Sequence, residues 1–404
     1  MERLLEISNR LIKLTEKKFV RSLFYKINWK HRLIEIRGAR GVGKTTLLLQ
    51  RAHKLKEKGE NVLYVSTDNT YFYKNKIVDL ADYFYKYGGK YLFIDEVHKY
   101  PEKEIGLDWS QEIKNIYDSY PDLHVVYTGS SILQLYKGAG DLSRRKSSYH
   151  LPGLSFREYL EFNNIAKFPV YNLENILDNH FELSQEVCNK IKILPHFKNY
   201  LRIGYFPFYN EDENKFFDRL TQVTNIILET DVLSVSDITY EVSLRLKKLL
   251  SLLSSSVPYT PNLSKLAEQL HIGHYRTLIK YLNYLEKAEL IKTLTAKANG
   301  DRILNKPDKI YLDNTNLMYG IADASVNQGT IRETFLLNQL SELHKVSYPK
   351  TGDFFVNNKY LIEVGGKKKS KKQIANIEHS YIASDDIETG FGPKIPLWLF
   401  GFLY

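Results

Sequence analysis

The chain has 404 residues, of which 43% are hydrophobic and 26% charged, and its formal net charge is +10. This is an ordinary globular balance, which argues against a disordered chain, and the length calls for two or three domains. The single cysteine, Cys188, excludes an intrachain disulfide framework and a cysteine metal site, and reads as a packing residue in a reducing, cytoplasmic setting.

Residues 1–30 read as an amphipathic helix followed by a basic extended stretch, with Leu4, Leu5, Ile7, Leu11, Ile12 and Leu14 at near-helical spacing. Charges interrupt this segment too often for a signal peptide. Long uncharged apolar stretches do not occur, so no membrane partner is expected. From Arg32 the pattern turns to strand (RLIEI), glycine loop and helix. Further strands follow at NVLYVSTD, KYLFIDEV and LHVVYTGSS, separated by the helices IVDLADYFYKYG and QEIKNIYDSY. Strand–helix alternation predicts a parallel sheet with helices on both faces. Residues 155–240 read as mostly helical, broken at Pro169, Pro195 and Pro207.

GARGVGKT at 38–45 fits the phosphate-loop pattern G-x-x-x-x-G-K-[ST] between a strand and a helix, the context that makes it specific. Gly38, Gly41 and Gly43 let the backbone turn so that amides face phosphate oxygens, and the helix N-terminus adds its dipole. Lys44 is expected to reach the β- and γ-phosphates of ATP, and the Thr45 hydroxyl to meet Mg²⁺. Arg40, Val42 and Thr46 complete the expected binding loop.

YLFIDEVHKYP is an apolar strand ending in Asp95 and Glu96. Its carboxyl end lies at the sheet edge that holds the phosphate loop. Asp95 is expected to hold Mg²⁺ through water, and Glu96 to orient the attacking water. The next strand, LHVVYTGSS, ends in small polar residues, and any of Thr128, Ser130 or Ser131 is placed to meet the terminal phosphate or that water. His98 reads as a surface or supporting residue.

Together with VVYTGSSILQL and DLSRRKSSYHLPGLSFREYLEF, these motifs resemble the bacterial and archaeal AAA+ ATPases that carry a C-terminal nuclease-like domain. The resemblance covers nearly the whole chain. It implies an α/β fold: a P-loop parallel sheet, then a helical and winged-helix region, then a small α/β restriction-endonuclease-like domain. It implies ATP hydrolysis, with ATP and Mg²⁺ as cofactors. It also implies a loop arginine that stabilises charge on the γ-phosphate, Arg144 before Arg145, often supplied by a neighbouring subunit of a homo-oligomer. The other reading of Arg144-Arg145-Lys146 is a solvated basic loop. The expected divisions are 1–160 (ATPase), 161–240 (helical), 241–315 (winged helix) and 316–404 (nuclease-like).

Residues 245–292 read as helices with a turn at HIGH, a helix-turn-helix layout, and the segment beyond them as a wing turning at Asn299-Gly300. His274, Tyr275, Arg276, Thr277 and Lys280 would face a DNA groove, and Lys292, Lys297 and Arg302 the phosphates. His271 and His274 suggest helix capping. In the last domain the nuclease pattern would use Glu333, Asp353 and Glu363, but Gly365 stands where its lysine belongs. Lys367 replaces it only if the strand runs on through Gly366, so a degenerate site used for binding is expected. Six lysines between 359 and 372 against one glutamate suggest a solvated surface or a phosphate contact. The tail IPLWLFGFLY reads as a terminal strand.

Overall fold

Apolar runs make the first sheet. In the computed structural model β1 is Leu33–Gly38, β2 Val62–Ser66, β3 Tyr91–Asp95, β4 His124–Ser130 and β5 Ser147–His150. Described residues are 2–15, 18–101, 108–131, 142–235, 238–254, 258, 260, 262–296, 306–321, 326–375 and 377–404. The strands run parallel in the order β2-β3-β4-β1-β5. Buried residues such as Leu33, Ile34, Ile36, Leu63, Leu92, Ile94 and Val125 explain why the central strands lack alternation: both faces are covered. The covering helices are α1 Glu2–Leu14, α2 Leu23–Lys26, α3 Lys44–Lys56, α4 Ile77–Lys86 and α5 Trp109–Ser119. The strand β5 was not expected; SSYH carries no apolar run because it is a half-exposed edge strand beside β1.

The chain divides into two compact units. Unit 1 is Met1–Pro152 with Glu229–Thr239, and unit 2 is Gly153–Leu228 with Tyr240–Tyr404. The segment Glu229–Thr239 thus returns to unit 1 from within a helical region.

Unit 2 opens with α6 Phe156–Phe162, α7 Leu173–Lys190, α8 Ile193–Ile203 and α9 Phe216–Ile226. The LSFREY block starts α6 with a capping box: the Ser155 hydroxyl accepts the Glu158 amide at 3.1 Å and Glu158 accepts the Ser155 amide at 3.4 Å. Arg157 and Ser155 also donate to the Tyr404 carbonyl, at 3.1 and 2.7 Å. After a π-wound turn at Ile227–Asp231 comes α10, Val232–Val235, in unit 1. Unit 2 resumes with α11 Tyr240–Ser254, α12 Leu263–Gln269, α13 Tyr275–Lys287, and the antiparallel pair β6 Ile291–Leu294 and β7 Lys309–Leu312. His274 heads α13 without a side-chain capping bond, so its expected capping role is not met. Asn299, Gly300, Lys297 and Arg302 lie outside the described residues.

Helices α14 Thr315–Ile321 and α15 Gln328–Ser341 lead to a second sheet. Its strands are β8 Val346–Ser347, β9 Phe354–Val356, β10 Tyr360–Gly365, β11 Ser380–Ser384 and β12 Lys394–Pro396, in the order β12-β11-β10-β9-β8. β10, β11 and β12 are parallel, while β8 and β9 are antiparallel to their neighbours. The tail is not a strand throughout: of its residues only Ile395 and Pro396 pair, at the end of β12, and Leu397–Phe402 forms a short 3-10 turn with every side chain buried. Cys188 is half-buried, and burial pushes its thiol up to about 11. Among the described residues, no helix is long and apolar enough to cross a membrane.

Candidate functional site

The glycine loop joins β1 to α3 at the carboxyl edge of the first sheet. Gly43 takes φ of 97°, which only glycine adopts without strain. Gly38 has a different reason: a Cβ there would lie 2.2 Å from the Leu151 carbonyl oxygen, because the chain leaving β5 crosses tightly over it. The Lys44 ammonium folds back on the loop, donating to the carbonyls of Gly38 and Ala39 at 2.9 and 2.8 Å.

Register explains what faces the loop. β4 lies between β1 and β3, with Thr128 level with Ile36 of β1 and Tyr127 level with Ile94 of β3. Thr45 on α3 and Asp95 at the end of β3 meet there: the Thr45 hydroxyl donates to Asp95 Oδ2 at 2.6 Å. Asp95 is buried and also receives the hydroxyls of Tyr64, at 2.8 Å, and Thr128. Burial, and then the charge of Asp95, pushes the Tyr64 hydroxyl far above its ordinary range, so it stays a donor. Glu96 adopts φ of 53°, a left-handed conformation that costs a glutamate free energy. Its amide donates to Thr128 Oγ1 at 3.0 Å, its carbonyl accepts from Thr67 at 2.6 Å, and its carboxylate pairs with Lys99. Of the three candidates Thr128, Ser130 and Ser131, it is Thr128 that contacts both acids. The Ser130 amide instead donates to His98 Nδ1 at 3.4 Å.

His98 is buried rather than a surface residue, because it lies under Asp231. Asp231 Oδ1 stands 3.3 Å from Arg40 Nη1 and 3.7 Å from His98 Nε2. Burial raises the Asp231 carboxyl, but His98, Arg40 and Lys44 together more than offset this, and it lies below its ordinary value. Sequence reasoning missed Asp231 entirely, since nothing local marks Glu229-Thr230-Asp231.

The basic loop before β5 divides three ways. Arg144 is exposed and makes no ion pair among the described residues. Arg145 is held in a fork by Asp118, at 3.0 and 3.1 Å. Lys146 is not solvated: it pairs at 2.8 Å with the buried Glu35, which also takes the Ser148 and Tyr127 hydroxyls. Ser147 is level with Ile34, near the amino end of β1. Arg144 and Arg145 therefore sit about 13 Å of strand away from their own phosphate loop, at ~3.3 Å per residue.

In unit 2 each expected acid has a protein partner of its own, and Asp353 lies close enough to Glu333 to raise its carboxyl. The Glu333 carboxylate takes the Tyr311 hydroxyl at 2.7 Å and lies 3.7 Å from the Lys309 ammonium. Asp353 accepts the Val364 amide at 2.8 Å. Glu363 pairs with Lys369 at 2.5 Å. Lys367 does not take the expected place, because β10 ends at Gly365 and Lys367 lies exposed in the turn beyond. Among the described residues no group of three or more His, Cys, Asp or Glu is arranged to hold a metal ion. Lys292 is not offered to a phosphate either: Asp313 binds its ammonium at 3.2 Å.

The uncharacterised protein MJ1637 of Methanocaldococcus jannaschii is 31% identical over 393 residues, covering 91% of this chain and 82% of that protein. The chain belongs to the MJ1637 family. Residues 30–160 match a family described as an AAA domain, and residues 194–327 a domain of unknown function, DUF8612. The chain thus carries an AAA domain on a P-loop α/β sheet. Among solved structures, AMPPCP-bound DnaA from Aquifex aeolicus is similar at a TM-score of 0.27 and 17% identity, covering 70% of this chain and 88% of that one. The Aeropyrum pernix ORC1 protein in complex with DNA is similar at 0.30 and 13%, covering 77% and 89%.

Proposed function

We propose that the chain is an AAA+ ATPase that binds Mg-ATP in unit 1, hydrolyses it and couples nucleotide state to unit 2. One observation carries the reading: the Thr45 hydroxyl and the Asp95 carboxylate meet at 2.6 Å beside a lysine-bearing glycine loop. These two oxygens suit a hard cation whose other ligands are waters and phosphate oxygens, which calls for no cluster of three acids. Thr45 and Asp95 would hold Mg²⁺ there, and it would supply charge neutralisation for the phosphates. The loop amides from Arg40 to Thr46 cradle the phosphates, and Lys44 exchanges its two carbonyls for them. Glu96 orients the water, and Thr128 fixes the Glu96 backbone. Arg144 serves a neighbouring subunit in a homo-oligomer.

Nucleotide binding by wild type and Lys44→Ala tests this, and equal affinity for Mg-ATP removes the claim. Glu96→Gln should keep binding and lose turnover. Mass measurement with and without a slowly hydrolysed ATP analogue should show assembly only with nucleotide.

A nucleotide-gated DNA-binding regulator is the second reading. It is supported by the three helices α11–α13 followed by the β6–β7 pair, a winged-helix layout, with His274, Tyr275, Arg276 and Lys280 all exposed. Replacing Arg276 and Lys280 by alanine should weaken DNA binding and flatten its salt dependence; unchanged binding removes this reading. For residues 316–404 a nuclease-like fold used for binding suits the lysine-paired Glu363 better than metal-dependent cleavage does. Plasmid cleavage in Mg²⁺ or Mn²⁺ that Glu363→Ala abolishes would reverse that preference.

A further inference from the structure

The phosphate loop is met by a carboxylate from far along the chain. Asp231 lies 191 residues beyond Arg40 in sequence, and its side chain is only 1% exposed. A buried carboxylate is costly unless cations pair with it. Here the cation is the loop's own Arg40, 3.3 Å from Oδ1, and the His98 ring nitrogen Nε2 lies 3.7 Å from the same oxygen. His98 Nδ1 accepts the Ser130 amide, so in the neutral ring the proton sits on Nε2, facing Asp231.

Asp231 ends a π-wound turn, a rare winding that is frequent at functional sites. Its segment, Glu229–Thr239, belongs to unit 1, whereas the residues on both sides in sequence, up to Leu228 and from Tyr240, belong to unit 2. Anything that loosens this segment therefore acts on a piece of chain covalently continuous with unit 2 at both ends.

We propose that Asp231 is a nucleotide-sensing counter-ion, which holds Arg40 while the phosphate loop is empty and yields it to the terminal phosphate of a triphosphate. This rests on the nucleotide reading above. In the present arrangement the loop's cations are committed to protein groups, Lys44 to two carbonyls and Arg40 to Asp231. A triphosphate brings several negative charges to that place. It competes for Arg40 and repels the carboxylate, and both effects push the segment away. A diphosphate, lacking the terminal phosphoryl group, leaves the pair closed.

Hydrogen exchange of the full chain tests this in three states: empty, with Mg-ADP, and with a slowly hydrolysed ATP analogue. Amides of 229–235 should exchange about tenfold faster with the analogue than in the other two states. Asp231→Asn should show fast exchange without nucleotide and should favour the analogue over ADP by a further ~3–10-fold in affinity, since a competing anion is gone. Arg40→Gln removes the partner instead and should likewise erase the nucleotide dependence, which keeps the test open where Asp231→Asn does not fold. Equal protection in all three states, with analogue binding that Lys44→Ala abolishes, overturns the sensor and leaves the ATP site standing. Binding that Lys44→Ala leaves intact overturns both.

Discussion

Thr128 Oγ1 accepts the backbone amide of Glu96 at 3.0 Å. It gives its own proton to Asp95, so one hydroxyl on β4 locks two consecutive acids of β3. Glu96 needs that lock because its φ of 53° is unfavourable for a glutamate. Thr128→Val keeps the shape and removes both bonds. We expect kcat for ATP to fall tenfold or more while KM changes little, because the lost bonds fix the two acids proposed to act on the metal and the water and leave Lys44 and the loop amides in place. Steady-state kinetics at saturating Mg-ATP decide it; a large rise in KM with unchanged kcat would reject this role.

The two arginines before β5 should separate on mutation. Asp118 holds Arg145 in a two-point fork, while Arg144 is exposed and unpaired among the described residues. Both sit at the sheet edge opposite their own loop. Arg144→Ala should therefore reduce turnover by ~10³-fold with ATP affinity intact, and Arg145→Ala much less. Mixing Arg144→Ala with Glu96→Gln should restore part of the activity, since in the proposed homo-oligomer each would supply what the other lacks. No recovery on mixing, at any ratio, would place the charge stabiliser elsewhere.

Much of the first sheet was legible because its signals are local. A glycine loop between strand and helix, and an apolar run ending in two acids, can be read within a dozen residues, and the fold then brings Thr45 to Asp95. Asp231 was not legible, because its partner lies 191 residues away and its own turn carries no pattern. The strand β5 was hidden by its exposure, and Lys146 by two arginines that made the whole loop look solvated. The tail misled for the opposite reason: with Leu397 to Phe402 all buried, neither strand nor helical period appears. Lys369 was passed over because alternation points to Lys367, whereas the chain turns after Gly365.

That turn has an energetic consequence. A Cβ on Gly365 would lie 2.6 Å from the Lys369 side chain, so the glycine makes room for the lysine stem, which ends on Glu363. Glu363 is 2% exposed and Lys369 34%. Lys369→Met strands a buried carboxylate and should cost about 2 kcal/mol, less than a fully buried pair because Lys369 is partly in water. Glu363→Gln combined with Lys369→Met should recover most of the loss, which urea unfolding of the four proteins in a double-mutant cycle would measure. Additive losses would mean that the two side chains do not act on each other.

Glu333 gives a stability that depends on pH. Burial lifts its carboxyl above the ordinary 4.5; Asp353 adds to the lift, while Tyr311 and Lys309 pull the other way. The native chain therefore holds this proton more tightly than the unfolded chain does. The resulting stabilisation is fully present below about pH 4.5, the unfolded value, and is lost as pH rises through the raised folded value. Glu333→Gln cannot titrate, so the comparison isolates this group from every other carboxylate. Wild type should be at its best relative to Glu333→Gln in acid and lose ground steadily toward neutral pH. Tyr311→Phe removes a donor at 2.7 Å that favours the charged form, and should steepen the loss. Urea midpoints for the three proteins from acid to neutral pH measure this, and a wild-type advantage that grows with pH would show Glu333 paired well enough to reverse the effect of burial.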